Sequence, residues 1–293
     1  MPVSPLPPAV AANELSWELP TGGHTLCYHR EGVGRPLLLL HSINAAPSAY
    51  EMSPFFNSSA LDTGRPIYAP DLPGFGRSNR EDREYSPEFF AQCIAEMLDE
   101  IGANEAGAAD VLALSTTAEF AARAALMAPS RIKSLVLVSP TGLSRRRDSA
   151  SNMGARVHRI LRAPLLGAGL FKALRSRASI RYFLNMGFRD KAPEDMVDYA
   201  YLTTRQPGAS HAPFYFLSGQ FFAPDAVGDL YLPLQTRVLV LYDKDPNISF
   251  NFLDTVLAEG SDWRAVRIPG TLGLPHFDAP DLTRAALDEF WAE

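Results

Sequence analysis

An apolar run ends at a serine in the segment Val111-Leu112-Ala113-Leu114-Ser115-Thr116-Thr117. Four consecutive apolar residues without alternation are typical of a strand that is buried on both faces. Residues 118–128 follow with a helical pattern that is rich in alanine and is ended by Pro129. The segment therefore predicts a sharp strand-to-helix turn with Ser115 in the turn.

The same alternation of strand and helix runs through much of the chain. Further strands are predicted at Leu37–Leu40, Leu135–Val138, Val238–Leu241 and Arg264–Ile268. The clearest helix begins after Ser86 as N-cap, has Pro87 at its first position, and stops at Gly102. Alternating strands and helices predict an α/β fold with a mostly parallel, doubly wound sheet.

The alternation fails between residues 143 and 231, where only helical patterns separated by prolines occur. We therefore predict an all-helical cap at 143–231, inserted into a core formed by residues 21–142 and 232–293. Residues 1–20 carry prolines at positions 2, 5, 7 and 8 and no basic start. They predict a flexible lead-in rather than a signal peptide.

Composition narrows the functional class. The 293 residues carry a net charge of −6, which argues against nucleic acid as a partner. Two cysteines without metal-ligand spacing and the lack of an apolar run of about 18 residues favour a reduced, cytoplasmic protein. No glycine-rich phosphate loop and no metal-ligand cluster occurs, so we predict neither cofactor nor metal.

The basic segment, residues 145–181, has a charge unlike the rest of the chain. It holds ten Lys and Arg residues against one acid, Asp148, with leucines interspersed at helical spacing. Such a segment could contact an anionic membrane surface. Alternatively, it is a lid whose apolar face packs on the core while its arginines remain in solvent.

Three motifs resemble the α/β-hydrolase superfamily, in its capped, esterase- and haloperoxidase-like branch. They are the turn at Ser115, the strand entry Leu38-Leu39-Leu40-His41-Ser42, and the segment Ala69-Pro70-Asp71-Leu72-Pro73-Gly74-Phe75-Gly76-Arg77-Ser78. The resemblance implies that Ser115 is the nucleophile and that the N–H groups of Ile43 and Thr116 form the oxyanion hole. Ser42 stands where the family usually has glycine, and Thr117 stands at a second such position.

The acid of a catalytic triad has two candidates in Leu241-Tyr242-Asp243-Lys244-Asp245-Pro246. This segment resembles the end of the strand at which the family places an aspartate before proline. The resemblance assigns Asp245 to orient the histidine, with Asp243 as the substitute. Both could also be solvated turn residues.

The histidine departs from the family pattern. The chain reads Ile268-Pro269-Gly270-Thr271-Leu272-Gly273-Leu274-Pro275-His276, and aligned without gaps Gly273 takes the place of the catalytic histidine. His276 matches a second histidine and is the provisional base, provided that a loop shift brings it to Ser115. Otherwise His276 caps the last helix or contacts a ligand.

Two functions follow from these assignments. The first is a cofactor-independent serine hydrolase that acts on a small to medium apolar ester-like substrate through an acyl-enzyme. Ser42, His211 and Phe216 are its predicted substrate contacts, the last two in the aromatic-rich cap. The alternative is a catalytically altered protein, either a ligand-binding pseudo-enzyme or a lyase- or oxygenase-type enzyme, because Gly273 replaces the usual histidine.

Overall fold

The computed structural model describes residues 5–57, 64–103, 107–144 and 151–292. The strands are β1 (Asn13–Leu19), β2 (Gly23–Arg30), β3 (Leu37–Leu40), β4 (Ile67–Pro70), β5 (Ala109–Leu114), β6 (Ile132–Val138), β7 (Arg237–Tyr242) and β8 (Trp263–Arg267). The helices are α1 (Ser53–Asn57), α2 (Pro87–Glu100), α3 (Thr117–Met127), α4 (Ser151–Leu161), α5 (Pro164–Leu174), α6 (Arg177–Asn185), α7 (Glu194–Thr203), α8 (His211–Leu217), α9 (Leu253–Glu259), α10 (Pro275–Asp278) and α11 (Pro280–Trp291).

One sheet of eight strands organises the core, in the order β1-β2-β4-β3-β5-β6-β7-β8. The pairs from β4 to β8 are parallel, whereas β1–β2 and β2–β4 are antiparallel. This arrangement confirms the predicted α/β class with a mostly parallel sheet. The helix predicted from Ser86 is α2, and the Ser86 hydroxyl accepts a hydrogen bond from the N–H of Phe89 at 3.1 Å.

Both faces of the sheet are covered, as the unbroken apolar runs predict. In β5, Val111 and Ala113 belong to a core cluster that includes residues of α2 and α3. Leu112 and Leu114 point to the opposite face, into a cluster that includes residues of α11. Because successive side chains of a strand alternate between faces, a strand with a helix layer on either side must be apolar at every position.

The flexible lead-in predicted for residues 1–20 is wrong for its second half. Residues Asn13–Leu19 form β1 and pair with β2 over seven residue pairs, from Asn13 with His29 to Leu19 with Gly23. This strand lies at the edge of the sheet and exposes much of one face. It therefore lacks the continuous apolar run by which the central strands were identified.

Helices α4 to α8 connect β6 to β7 and lie in the predicted cap region 143–231. Between residues 151 and 231, which the structure describes throughout, no strand occurs. Residues 145–150 of the basic segment lie outside the described residues. In the described parts of the chain, every helix is too short or too polar to cross a lipid bilayer.

The predicted site residues follow the carboxyl ends of four parallel strands. Ser42 and Ile43 come after β3, Ser115 after β5, and Asp245 after β7, while Gly273 lies in the loop after β8. In an open parallel sheet these ends meet at one edge, where ligands bind.

Candidate active site

Ser115 occupies a strained turn between β5 and α3. Its φ is 57°, in the left-handed region, which costs a residue with a side chain about 1–3 kcal/mol. The N–H of Ser115 donates to the carbonyl of Val138 at 2.9 Å, and its own carbonyl accepts from the N–H of Ala118 at 3.1 Å. Within the described residues its half-buried hydroxyl has no hydrogen-bond partner. The turn thus holds the Ser115 hydroxyl at the carboxyl edge of the sheet.

Thr117 stands where the resemblance expects a glycine, and its additional hydroxyl group is hydrogen-bonded. The side chain is fully buried, and its hydroxyl donates to the carbonyl of His41 at 2.6 Å. The larger residue therefore ties the turn after β5 to the end of β3. This bond offsets the cost of burying a hydroxyl.

His41 is a structural residue. Its Nδ1 lies 2.7 Å from the Ser42 carbonyl, and its Nε2 accepts a hydrogen bond from the N–H of Leu72 at 2.9 Å. Burial lowers the pKa of His41 to about 4, so the ring is neutral at pH 7. Both ring nitrogens serve the backbone, which leaves His41 no part in proton transfer at Ser115.

The two predicted oxyanion donors are available. Ile43 and Thr116 are buried, and neither backbone N–H donates to another residue in the described ranges. Backbone N–H groups that lack an internal acceptor beside a nucleophile are the donors that bind a developing oxyanion. Their assignment as an oxyanion hole remains a prediction.

Ser42, a predicted substrate contact, is bound to a buried carboxylate that the sequence analysis did not single out. Glu51 accepts hydrogen bonds from the N–H of Ser42 at 2.7 Å and from its hydroxyl at 3.0 Å. Burial raises the pKa of Glu51 to about 7, against the hydrogen bonds from Ser42 and Asn44. Ser42 thus anchors the loop after β3, and an acid within an apolar stretch was the only available sequence signal for Glu51.

The two aspartates after β7 have different environments. Asp243 receives hydrogen bonds from Arg267 at 2.6 Å and from the N–H groups of Gly270 and Thr271. Burial alone would raise the pKa of Asp243, but these bonds outweigh it and hold the pKa below its ordinary value. Asp243 therefore fastens the loop after β8, and both of its carboxylate oxygens already accept hydrogen bonds from that loop or from Arg267.

The two oxygens of Asp245 face different loops: Oδ1 faces its own loop after β7, and Oδ2 faces Gly273 in the loop after β8. Its Oδ1 accepts from the N–H groups of Asn247 at 2.7 Å and Ile248 at 3.0 Å. Burial raises the pKa of Asp245, with these two bonds opposing it. A Cβ atom built on Gly273 would lie 2.9 Å from the other oxygen, Oδ2. Asp245 thus faces the position at which the resemblance expects the catalytic histidine, and that position has no side chain.

His276 lies elsewhere, and the structure does not bring it to Ser115 or Asp245. Its Nε2 lies 2.8 Å from the carbonyl of Glu51, and its ring stacks on Phe55 at 5.0 Å between centroids. Burial lowers the pKa of His276 to about 4, so the neutral ring donates from Nε2. The expected loop shift is absent because Pro275 and His276 begin α10, which packs the ring into the core beside α1.

The two substrate contacts predicted in the cap, His211 and Phe216, lie in different surroundings. His211 lines a cavity of about 350 Å³ in the cap, and its Nδ1 lies 2.9 Å from the carbonyl of Arg80. Phe216 is half-buried beside Phe222 and does not line that cavity. Ser115 and Asp245 do not line it either.

Several arginines of the basic segment are paired with acids. The pairs are Arg162 with Asp82, Arg177 with Asp198, and Arg181 with Glu194. Some apolar side chains nearby are exposed, namely Ile160, Leu170, Tyr182 and Phe183. Membrane contact through residues 145–181 remains a prediction.

The sequence of this chain is similar in part to those of known enzymes. The 2-hydroxymuconate semialdehyde hydrolase of Pseudomonas putida is 31% identical over 133 residues, 45% of either chain. An esterase of Mycobacterium tuberculosis is 41% identical over 85 residues, 28% of either chain. The matched segments therefore span less than half the length of these curated relatives.

A solved structure extends the likeness to nearly the whole fold. The 2-hydroxy-6-oxo-6-phenylhexa-2,4-dienoate hydrolase of Rhodococcus sp. superposes with a TM-score of 0.72, covering 97% of this chain and 100% of that chain. At 16% identity this likeness concerns the fold alone. A family profile, described as the alpha/beta hydrolase family, matches residues 37–286. The family resemblance carried by the three motifs is thus confirmed: this chain belongs to the alpha/beta hydrolase family.

Proposed function

We propose that this chain is a catalytically altered α/β hydrolase that binds a small to medium apolar ester-type ligand at Ser115 and hydrolyses it slowly. The observation that carries the proposal is the contact between Asp245 and Gly273. Oδ2 of Asp245 lies beside residue 273, 2.9 Å from where a Cβ atom would be, but residue 273 has no side chain. Among the described residues, the site therefore has an acid that could orient a base, and no base beside Ser115.

The remaining parts support binding of a carbonyl group. Ser115 is held at a φ of 57°, and the N–H groups of Ile43 and Thr116 have no other described acceptor. These donors would bind the carbonyl oxygen while the Ser115 oxygen attacks the carbonyl carbon, and the ester C–O bond then breaks to release the alcohol and leave an acyl-enzyme, which water hydrolyses to the acid and free Ser115. The serine proton ends on the departing alcohol, and water must carry it there, because no described side chain is hydrogen-bonded to the Ser115 hydroxyl.

The expected loss of hydrolysis rate follows from the usual contribution of a general base. A positioned base contributes about 10²–10⁴-fold to the rate, while donors and binding alone retain part of the acceleration. A relative named as an esterase supports an ester-type ligand. We therefore expect ligand binding with low turnover.

A second candidate is ordinary ester hydrolysis at full rate. The strained φ of Ser115 favours it, because backbone strain of this kind clusters at functional sites. This candidate needs a base that the structure does not place beside Ser115.

Labelling by a fluorophosphonate probe separates the two candidates. The chain would be run beside an ordinary serine hydrolase, with Ser115→Ala and His276→Ala variants. We expect the chain to label about 100-fold or more slowly than the reference enzyme, with no labelling of Ser115→Ala and little change in His276→Ala. Rapid labelling that is lost in both variants would overturn the proposal and make His276 the base. Rapid labelling that survives in His276→Ala would overturn it as well, since another base would then be present.

A further inference from the structure

The cap contains a cavity that the proposed function does not use. It has a volume of about 350 Å³ and lies among α4, α5, α8 and the loop that carries Asp82. None of its lining residues belongs to the candidate active site, apart from His211, whose substrate contact is only a prediction. A cavity of this size, with several convergent polar groups beside apolar side chains, can hold a small molecule.

Two polar atoms at this cavity are buried without a partner. They are Nε of Arg175 and Nε2 of His158, which form no hydrogen bond with any described residue. Both residues line the cavity. A buried donor without an acceptor costs about 1–3 kcal/mol, and a charged group costs more. A ligand acceptor that reached these atoms after a small movement of the two side chains would remove this cost.

The charges at the cavity leave an unpaired cation. Arg162 donates to both carboxylate oxygens of Asp82, at 2.9 and 2.7 Å, so these two residues neutralise one another. Burial and the Arg162 cation lower the pKa of His158, which keeps its ring neutral at pH 7. Arg175 has no acidic partner among the described residues. The lining therefore has one positive charge to be matched.

Part of the lining is apolar. Leu161, Phe171 and Phe214 form a small buried cluster of the cap, in which the two aromatic rings meet edge to face at 5.8 Å. The ring of His158 lies 3.9 Å from that of Tyr215. The cavity thus offers an apolar surface next to a guanidinium group.

We propose that this cavity binds an organic carboxylate with an apolar body. The guanidinium of Arg175 would receive the carboxylate with a hydrogen bond from His158, and Phe171 and Phe214 would contact the apolar part. A planar carboxylate matches the fork of a guanidinium group. This inference is independent of the proposed function, because it requires neither Ser115 nor a chemical step.

Calorimetric titration of the full chain with octanoate tests the proposal. Octanol and octyltrimethylammonium, which have the same tail, serve as neutral and cationic controls. We expect octanoate to bind and both controls to bind at least about tenfold more weakly, because a hydrogen bond to a charged group contributes about 1.5–3 kcal/mol. Failure of octanoate to bind, or equal binding of octanol, would overturn the proposal.

Variants assign the binding to this cavity. Arg175→Gln should weaken octanoate binding at least about tenfold. Arg159→Gln, an exposed arginine on α4, should change it by less than about twofold. Ala163→Leu, which adds volume at the cavity wall, should weaken binding without removing a charge. Thermal unfolding establishes that each variant is folded. Unchanged binding in both Arg175→Gln and Ala163→Leu would overturn the assignment, whatever the rate of hydrolysis at Ser115.

Discussion

Gly273 lies against Asp245 so closely that a Cβ atom on the glycine would be 2.9 Å from Oδ2 of the aspartate. The same carboxylate is fixed by the N–H groups of Asn247 and Ile248 through its other oxygen. The acid is therefore held in position, while residue 273 lacks the side chain that an acid in this place orients. This contact is the reason that we expect the site at Ser115 to bind an ester-type ligand but to hydrolyse it slowly.

His276→Ala should destabilise the fold by about 2–4 kcal/mol, since it leaves a cavity beside Phe55 and removes the hydrogen bond to the Glu51 carbonyl. Urea unfolding measures this change. The labelling rate of the folded fraction should stay within about twofold of wild type, because the ring makes no contact with Ser115. A large loss of labelling with little loss of stability would show that His276 acts on Ser115.

Glu51→Gln should change how stability depends on pH. Because burial raises the pKa of this acid to about 7, ionisation in the unfolded chain above pH 4.5 favours unfolding. The contribution of Glu51 to the free energy of unfolding is fully present below pH 4.5. It falls by about 3 kcal/mol as the pH rises from 4.5 through 7.

The Gln variant lacks this loss, so its free energy of unfolding relative to wild type should rise between pH 4.5 and pH 8. Urea unfolding at the two pH values measures the difference. Glu289→Gln, an exposed site on α11, is the control and should follow wild type at both. An equal pH response of Glu51→Gln and wild type would contradict the assignment of a buried, shifted carboxyl group.

Thr117→Val should lower the free energy of unfolding by about 1–3 kcal/mol, because it removes the buried hydrogen bond to the His41 carbonyl. Thr117→Ser keeps the hydroxyl and should recover most of that loss. Chemical denaturation of the two variants tests the comparison. Equal stability of Val and Ser variants would mean that the hydroxyl does not tie the turn to β3.

The sequence predicted most of the fold because buried parallel strands have a distinct signature. The run ending at Leu114 and the N-cap at Ser86 gave β5 and α2 almost residue by residue. Edge strand β1 was missed, since an exposed edge lacks the continuous apolar pattern. Strand β4 was missed as well, because its four residues include the partly exposed Tyr68 and end in Pro70.

The site was harder to predict than the fold. The order of residues identified Gly273 as the departure from the family pattern, but it could not give the direction of the His276 ring. That direction depends on how α10 packs against α1 and on the carbonyl of Glu51, which is 225 positions away in the chain. The same holds for Glu51, whose burial is a tertiary property.

The most direct measurement is hydrolysis of p-nitrophenyl butyrate by Gly273→His, with Gly273→Ala and the double variant Ser115→Ala/Gly273→His as controls. The φ of Gly273 is not in the left-handed region, so the backbone accepts a side chain there, and Oδ2 of Asp245 must shift by a few tenths of an ångström to admit its Cβ atom. We expect kcat/KM to rise about 100-fold or more over wild type in Gly273→His, to stay near wild type in Gly273→Ala, and to vanish in the double variant. Two results would contradict the claim that only the base is missing. One is a folded Gly273→His variant that is no more active than Gly273→Ala, and the other is a wild type that is already as active as Gly273→His.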